Sequence, residues 1–92
     1  MHSQQTPSGP VQELVVGRGQ RVGDRCIIPI LQISKLRGNR GAIVQATPIA
    51  LVIAEGADEY TALLPGAGEP ETMRALLATL REAIEREKQT CE

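Results

Sequence analysis

Aromatic side chains are all but missing from this chain: of 92 residues one is a tyrosine, Tyr60, and there is no phenylalanine or tryptophan. That gap removes the stacking platforms on which binders of single-stranded nucleic acid rely. It also requires a core of short aliphatic side chains, each burying less area than a ring. Histidine occurs once, as His2 in a polar stretch, so the chain can assemble no Ser/His/Asp set and no Cys/His metal spacing. It has no Gly-x-x-x-x-Gly-Lys-Ser/Thr phosphate loop. No apolar run approaches the roughly 20 residues of a membrane helix. The first residues offer neither a basic leader nor an apolar secretory core. The expectation is a protein that is not an enzyme, with no catalytic, cofactor-binding or metal-ligating residue.

Cysteine is scarce as well. Cys26 sits in an apolar run and Cys91 beside the last residue, so a bridge would have to tie the chain end to the core. Two free thiols in a reducing, cytoplasmic setting are expected instead.

Isoleucine, leucine and valine supply 23 residues, enough apolar mass to exclude global disorder. A single domain of this size hides only about 60–65% of the surface that its unfolded chain exposes. Thin burial without aromatic anchors makes self-association a natural source of stability, and a homo-oligomer is expected. The net charge of −1 hides two unlike halves: residues 11–45 carry a net +4 and residues 46–92 a net −5. Such halves suit internal pairing, subunit pairing or a basic face for an anionic partner.

Along the chain, residues 1–10 are polar, contain two prolines and read as a disordered tail. Residues 11–92 then form one domain of the α+β class: an antiparallel four-stranded β-meander over 11–65 and one C-terminal amphipathic helix over 70–88. Leu14-Val15-Val16 starts a strand, and Gly23-Asp24 turns the chain into the run Cys26–Ile33. Arg37-Gly38-Asn39-Arg40-Gly41 follows as a loop, and Ile43–Ala54 is the third strand. Glu55-Gly56-Ala57-Asp58 turns the chain into a short fourth, Tyr60–Leu64. Runs 26–36 and 41–54 mirror one another about Gly38-Asn39. The mirror predicts a hairpin with a four-residue loop, Ile33 opposite Val44, Leu31 opposite Ala46 and Pro29 opposite Pro48. The prolines would then fall at bulges or where the outer strands end.

After Leu64-Pro65 the apolar period becomes 3.6. Met73, Leu76, Leu77, Leu80 and Ile84 make one stripe, expected to cover the sheet face carrying Leu31, Ile33 and Val44. Pro70 fits the first helical position, and Glu69 and Glu71 suit the positive end of the helix dipole.

Two groups of basic residues are the candidate contacts for an anion or a partner. Arg18, Arg21 and Arg25 flank the first turn, and Lys35, Arg37 and Arg40 flank the hairpin tip. With no aromatics for stacking and a slightly acidic chain, nucleic acid is not the expected partner. Gly17-Arg18-Gly19 resembles part of a nucleotide loop but opens no helix, and turn geometry is its expected reason. The carboxylates cluster on the helix and its approach, where a solvated face accounts for them.

Five segments in order resemble the spore YtfJ/GerW-type family. They are Val15-Val16-Gly17, Val22-Gly23-Asp24-Arg25, Ile27-Ile28-Pro29-Ile30, Thr47-Pro48-Ile49-Ala50-Leu51-Val52-Ile53 and Leu63-Leu64-Pro65. The likeness spans residues 14–65, with the family's long glycine-rich middle cut to residues 37–41. It implies a link to spore formation or germination and brings no catalytic residues. The function expected is a small oligomeric assembly or interaction module presenting the loop at 37–41. The alternatives are anionic-ligand or nucleic-acid binding through the basic tips, and an accessory or regulatory subunit of an enzyme.

Overall fold

Runs of β-branched residues separated by glycine turns build one sheet, and the leucine-rich C-terminus folds back over it. The computed structural model describes residues 11–38 and 41–91. Strands β1 (Val11–Val16), β2 (Gln20–Val22), β3 (Arg25–Gly38), β4 (Gly41–Glu55) and β5 (Asp58–Leu63) precede helices α1 (Pro70–Thr79) and α2 (Arg81–Gln89). All pairings are antiparallel, in the order β1-β3-β4-β5, with β2 also on β3. The meander is thus present, with its first strand broken into β1 and β2 along one edge of β3. The expected tail, residues 1–10, and the tip residues Asn39 and Arg40 lie outside the described residues.

The central hairpin forms, two residues out of the expected register. Ile33 faces Ala46 rather than Val44, and Leu31 faces Pro48 rather than Ala46. Gly38 pairs with Gly41, so Arg37 and Gly38 belong to β3 and no four-residue loop forms. Gly41 has φ 127°, which other residues rarely adopt, and the reversal falls one residue later than the mirror placed it. A shift of two keeps every side chain on its face. Beyond Leu31 the ladder slips: Ile30 pairs with Ala50, leaving Ile49 as a bulge in β4. The bulge lets two successive residues, Ile49 at 2% exposure and Ala50 at 0%, point into the core.

Both prolines lie where a missing N–H costs no ladder bond. Pro29 falls in the gap between β1 and β2, and its carbonyl accepts from the Gly17 N–H at 2.8 Å. Pro48 lies past the end of β5, where the Leu64 N–H reaches the Ile49 carbonyl at 2.9 Å.

The helices cover the opposite face from the one expected. The core joins Cys26, Ile28, Ile30, Ile49, Ala50 and Val52 to Met73, Ile84 and Cys91. These β3 members are even-numbered, whereas Leu31 and Ile33 point away. Leu77 and Leu80 pack against the core, but Leu76 is 39% exposed. The single expected helix is broken at Leu80, whose N–H turns back to the Leu77 carbonyl at 3.0 Å. Thr79 donates its hydroxyl to the Leu76 carbonyl at 2.6 Å, a local bond that competes with the helix ladder and accompanies the break. Pro70 occupies the first turn, as its fixed φ favours.

Candidate interaction surface

The cysteines are bonded, contrary to the expected free thiols: Cys26 in β3 and Cys91 after α2 form a disulfide with Cα atoms 6.1 Å apart. The signal was in the periodicity. Cys26 is in phase with Ile28 and Ile30, and Cys91 falls seven residues, two helical turns, after Ile84. Over this bridge lies Gly19. A Cβ there would meet Cys26 Sγ at 3.1 Å, Ile28 Cγ1 at 3.2 Å and Cys91 Sγ at 3.4 Å. Close approach, and not the expected turn geometry, is why Gly17-Arg18-Gly19 carries its glycines; neither has positive φ.

The six basic candidates do not converge. Arg25 lies 3.3 Å from Glu55, and Lys35 lies 3.7 Å from Glu13. Those two cations stand ten residues apart on one strand, roughly 33 Å. Arg37 ends β3 with Gly38, and Arg40 lies outside the described residues. Arg18 and Arg21 share a concavity, an open depression of about 670 Å³ lined also by Gly19, Gln20, Glu87 and Thr90. Within it the Gly19 N–H donates to Glu87 Oε1 at 2.8 Å, which fixes a carboxylate beside the two guanidinium groups.

A second charged cluster ties α2 to β5. Arg81 donates to both oxygens of Glu59, and Lys88 donates to Glu59 Oε1 at 2.7 Å and to Glu85 Oε2 at 3.0 Å. The hydrogen bonds to Glu59 and then Glu85 hold the Lys88 ammonium above its ordinary pKa. The bond from Lys88, aided by Arg81, holds Glu85 below its own. Every cation here has its carboxylate, so the cluster reads as a clamp between elements. Among the described residues no group of three or more His, Cys, Asp or Glu side chains could hold a metal.

A third feature is the sheet face that the helices leave bare. Alternation along β3 and the pairings to its neighbours place Val15, Ile27, Leu31, Ile33, Leu51 and Ile53 on this outer face. All six are only half-buried. Tyr60 at 55% exposure and Val44 at 61% extend the face on β5 and β4. Four of its charged side chains stand in the pairs Glu13–Lys35 and Arg25–Glu55, and Asp58 lies at its margin beside Glu55. No aliphatic pattern in the sequence could show that this face stays open, because Ile27 and Ile28, like Leu51 and Val52, are equally apolar.

No protein-family model, curated protein or solved structure matches the chain. No helix among the described residues is long and apolar enough to cross a membrane.

Proposed function

We propose that this protein is a non-enzymatic assembly module in which a second copy of the chain covers the bare outer face of the sheet. The observation that carries this reading is the apolar face opposite the helices, with Val15, Ile27, Leu31, Ile33, Leu51 and Ile53 only half-buried. Four strands at about 4.8 Å spacing and about ten residues of length give a patch on the order of 600 Å². Doubled across a pair of copies, that reaches the roughly 1,000 Å² at which specific interfaces begin. Most of its charge is already held in the two ion pairs Glu13–Lys35 and Arg25–Glu55, so little like charge opposes a second copy. Sheets packed in this way lie about 10 Å apart with interleaved aliphatic side chains, which needs no aromatic residue.

The YtfJ/GerW-type resemblance belongs to this proposal, since the segments that carry it run through β1 to β5. A cytoplasmic setting was expected partly from free thiols, and the bridge withdraws that support, because disulfides persist in oxidising surroundings. Light scattering after size exclusion tests the reading: a dimer or larger species is expected at tens of micromolar. Leu31→Lys with Ile53→Lys should remove the face-to-face contact and lower the assembled mass while the β-rich circular dichroism is kept. A wild-type chain that is monomeric throughout removes the proposal.

The depression holding Arg18 and Arg21 favours a second reading, in which a small anionic ligand binds there. Arg18→Glu with Arg21→Glu should then abolish binding of a phosphate-bearing probe, and added salt should weaken it steeply. Undiminished binding by that variant would exclude this location.

A further inference from the structure

One edge of the sheet lacks the protection that its other edges have. Along β5 the edge begins with Asp58 and Glu59, β1 carries Glu13 and β2 carries Arg21. β4, by contrast, has no charged residue from Gly41 to Ala54. β5 covers it only from Glu55 to Ala50, and the last bond reaches Ile49. Among the described residues, no strand pairs with the outward side of residues 41–48, and all eight are exposed. Ile43 is 59% and Val44 61% exposed. Long, apolar, uncharged edges are templates for another strand.

The register says which groups this edge offers. The Gly17 N–H reaches the Pro29 carbonyl, so odd residues of β3 turn their backbone groups toward β1 and even ones toward β4, where Leu36–Ile43, Ser34–Gln45 and Gln32–Thr47 are the bonded pairs. Ala42, Val44 and Ala46 therefore turn their N–H and C=O outward. Pro48, next in that series, has no N–H to give and ends it. The three outward residues are symmetric about Val44, with alanine on either side.

We infer that two copies of this chain join edge to edge along β4, antiparallel and centred on Val44. Val44 meets its own counterpart, Ala42 meets Ala46, and each pair exchanges both of its N–H···O bonds. A second copy fits because the three outward residues match their own counterparts one for one about Val44, and no charge from Gly41 to Ala54 opposes an identical edge. The joined sheets also extend the bare outer face across the pair. The inference rests on the self-association proposed above and names where it starts.

Cysteine trapping in the full chain tests it. Val44→Cys should give a covalent dimer on mild oxidation, since directly paired strand residues lie within the Cα range of a disulfide. Ile43→Cys should not, because its counterpart lies diagonally two pairs away. Val44→Pro removes an outward N–H and none that bonds β3, so it should weaken the dimer about tenfold or more, whereas Val44→Ala, which trims the same side chain and keeps the N–H, should not. If the wild-type chain dimerises but Val44→Pro does not weaken it and Val44→Cys does not cross-link, the edge is wrong and face packing stands. A foreign strand as the true occupant would appear as a wild-type monomer, which overturns this inference and the assembly reading together.

Discussion

The two halves of the long hairpin are made of the same two strands and live in different surroundings. Residues 25–30 and 49–55 lie under the helices, flanked by β2 and β5, and contribute the fully buried Ile28, Ile30 and Val52. Residues 41–48 are exposed along their whole length, with β1 supporting only the far side of β3. The boundary is the Ile49 bulge. The comparison teaches that strand propensity alone does not set stability along this hairpin; what covers each half does.

The largest expected effect comes from emptying the covered half. Ile28→Ala should cost about 2–5 kcal/mol in denaturant unfolding, whereas Val44→Ala in the exposed half should change monomer stability by less than about 0.5 kcal/mol. Equal losses would mean that the two halves are equally packed. Next comes the bridge. Cys26→Ala with Cys91→Ala should lose about 2–4 kcal/mol, because the unfolded chain regains the freedom of a long loop. Insensitivity of the wild-type melting curve to reductant would show that no bridge forms.

A smaller loss is expected at Gly19, where an added methyl must displace two sulfurs and Ile28 Cγ1. Gly19→Ala should cost about 1–3 kcal/mol in the same unfolding measurement. The smallest effect lies at the clamp. Lys88 is raised in the folded state, so its contribution is complete below its ordinary value of 10.5 and fades as pH climbs through the higher folded value. The gap between wild type and Lys88→Met, under about 1 kcal/mol for so exposed a cluster, should therefore close in strong alkali. Glu85 acts in the reverse sense: its contribution is present above the ordinary 4.5 and is lost as pH falls through its lowered value. A gap that persists unchanged at both extremes would remove the clamp.

Element types were legible because period and turn residues act locally. The shift of period after Leu64, the Pro70 start and the placing of Pro29 and Pro48 at gaps all followed from single residues. Register was not, since a reversal at residues 38–39 and one at 39–40 present the same apolar face, and only the backbone of Gly41 separates them. The buried face was hidden for a different reason: the strands are apolar on both sides, so Cys26-Ile28-Ile30 and Ile27-Leu31-Ile33 compete equally for the helices. The bulge that buries both Ile49 and Ala50 leaves no mark in composition. The disulfide joins residues 65 apart, a distance over which local pattern says nothing. Of the candidate basic groups, Arg18 and Arg21 were found together, but their common depression depends on Glu87 and Thr90 from the far end of the chain.

The bridge also gives the molecule a topology. Residues 26–91 form a closed covalent ring, and β1 and β2 lie outside it as a strap attached at one end. A protease cutting once after Arg37 or Arg40 would open the ring without dividing the protein, adding only the mass of one water. Two fragments would separate on reduction alone. Detachment of the strap, by contrast, breaks no link of the ring, so exchange with solvent hydrogen should reach the backbone amides of residues 12–16 before those of β4 within the core.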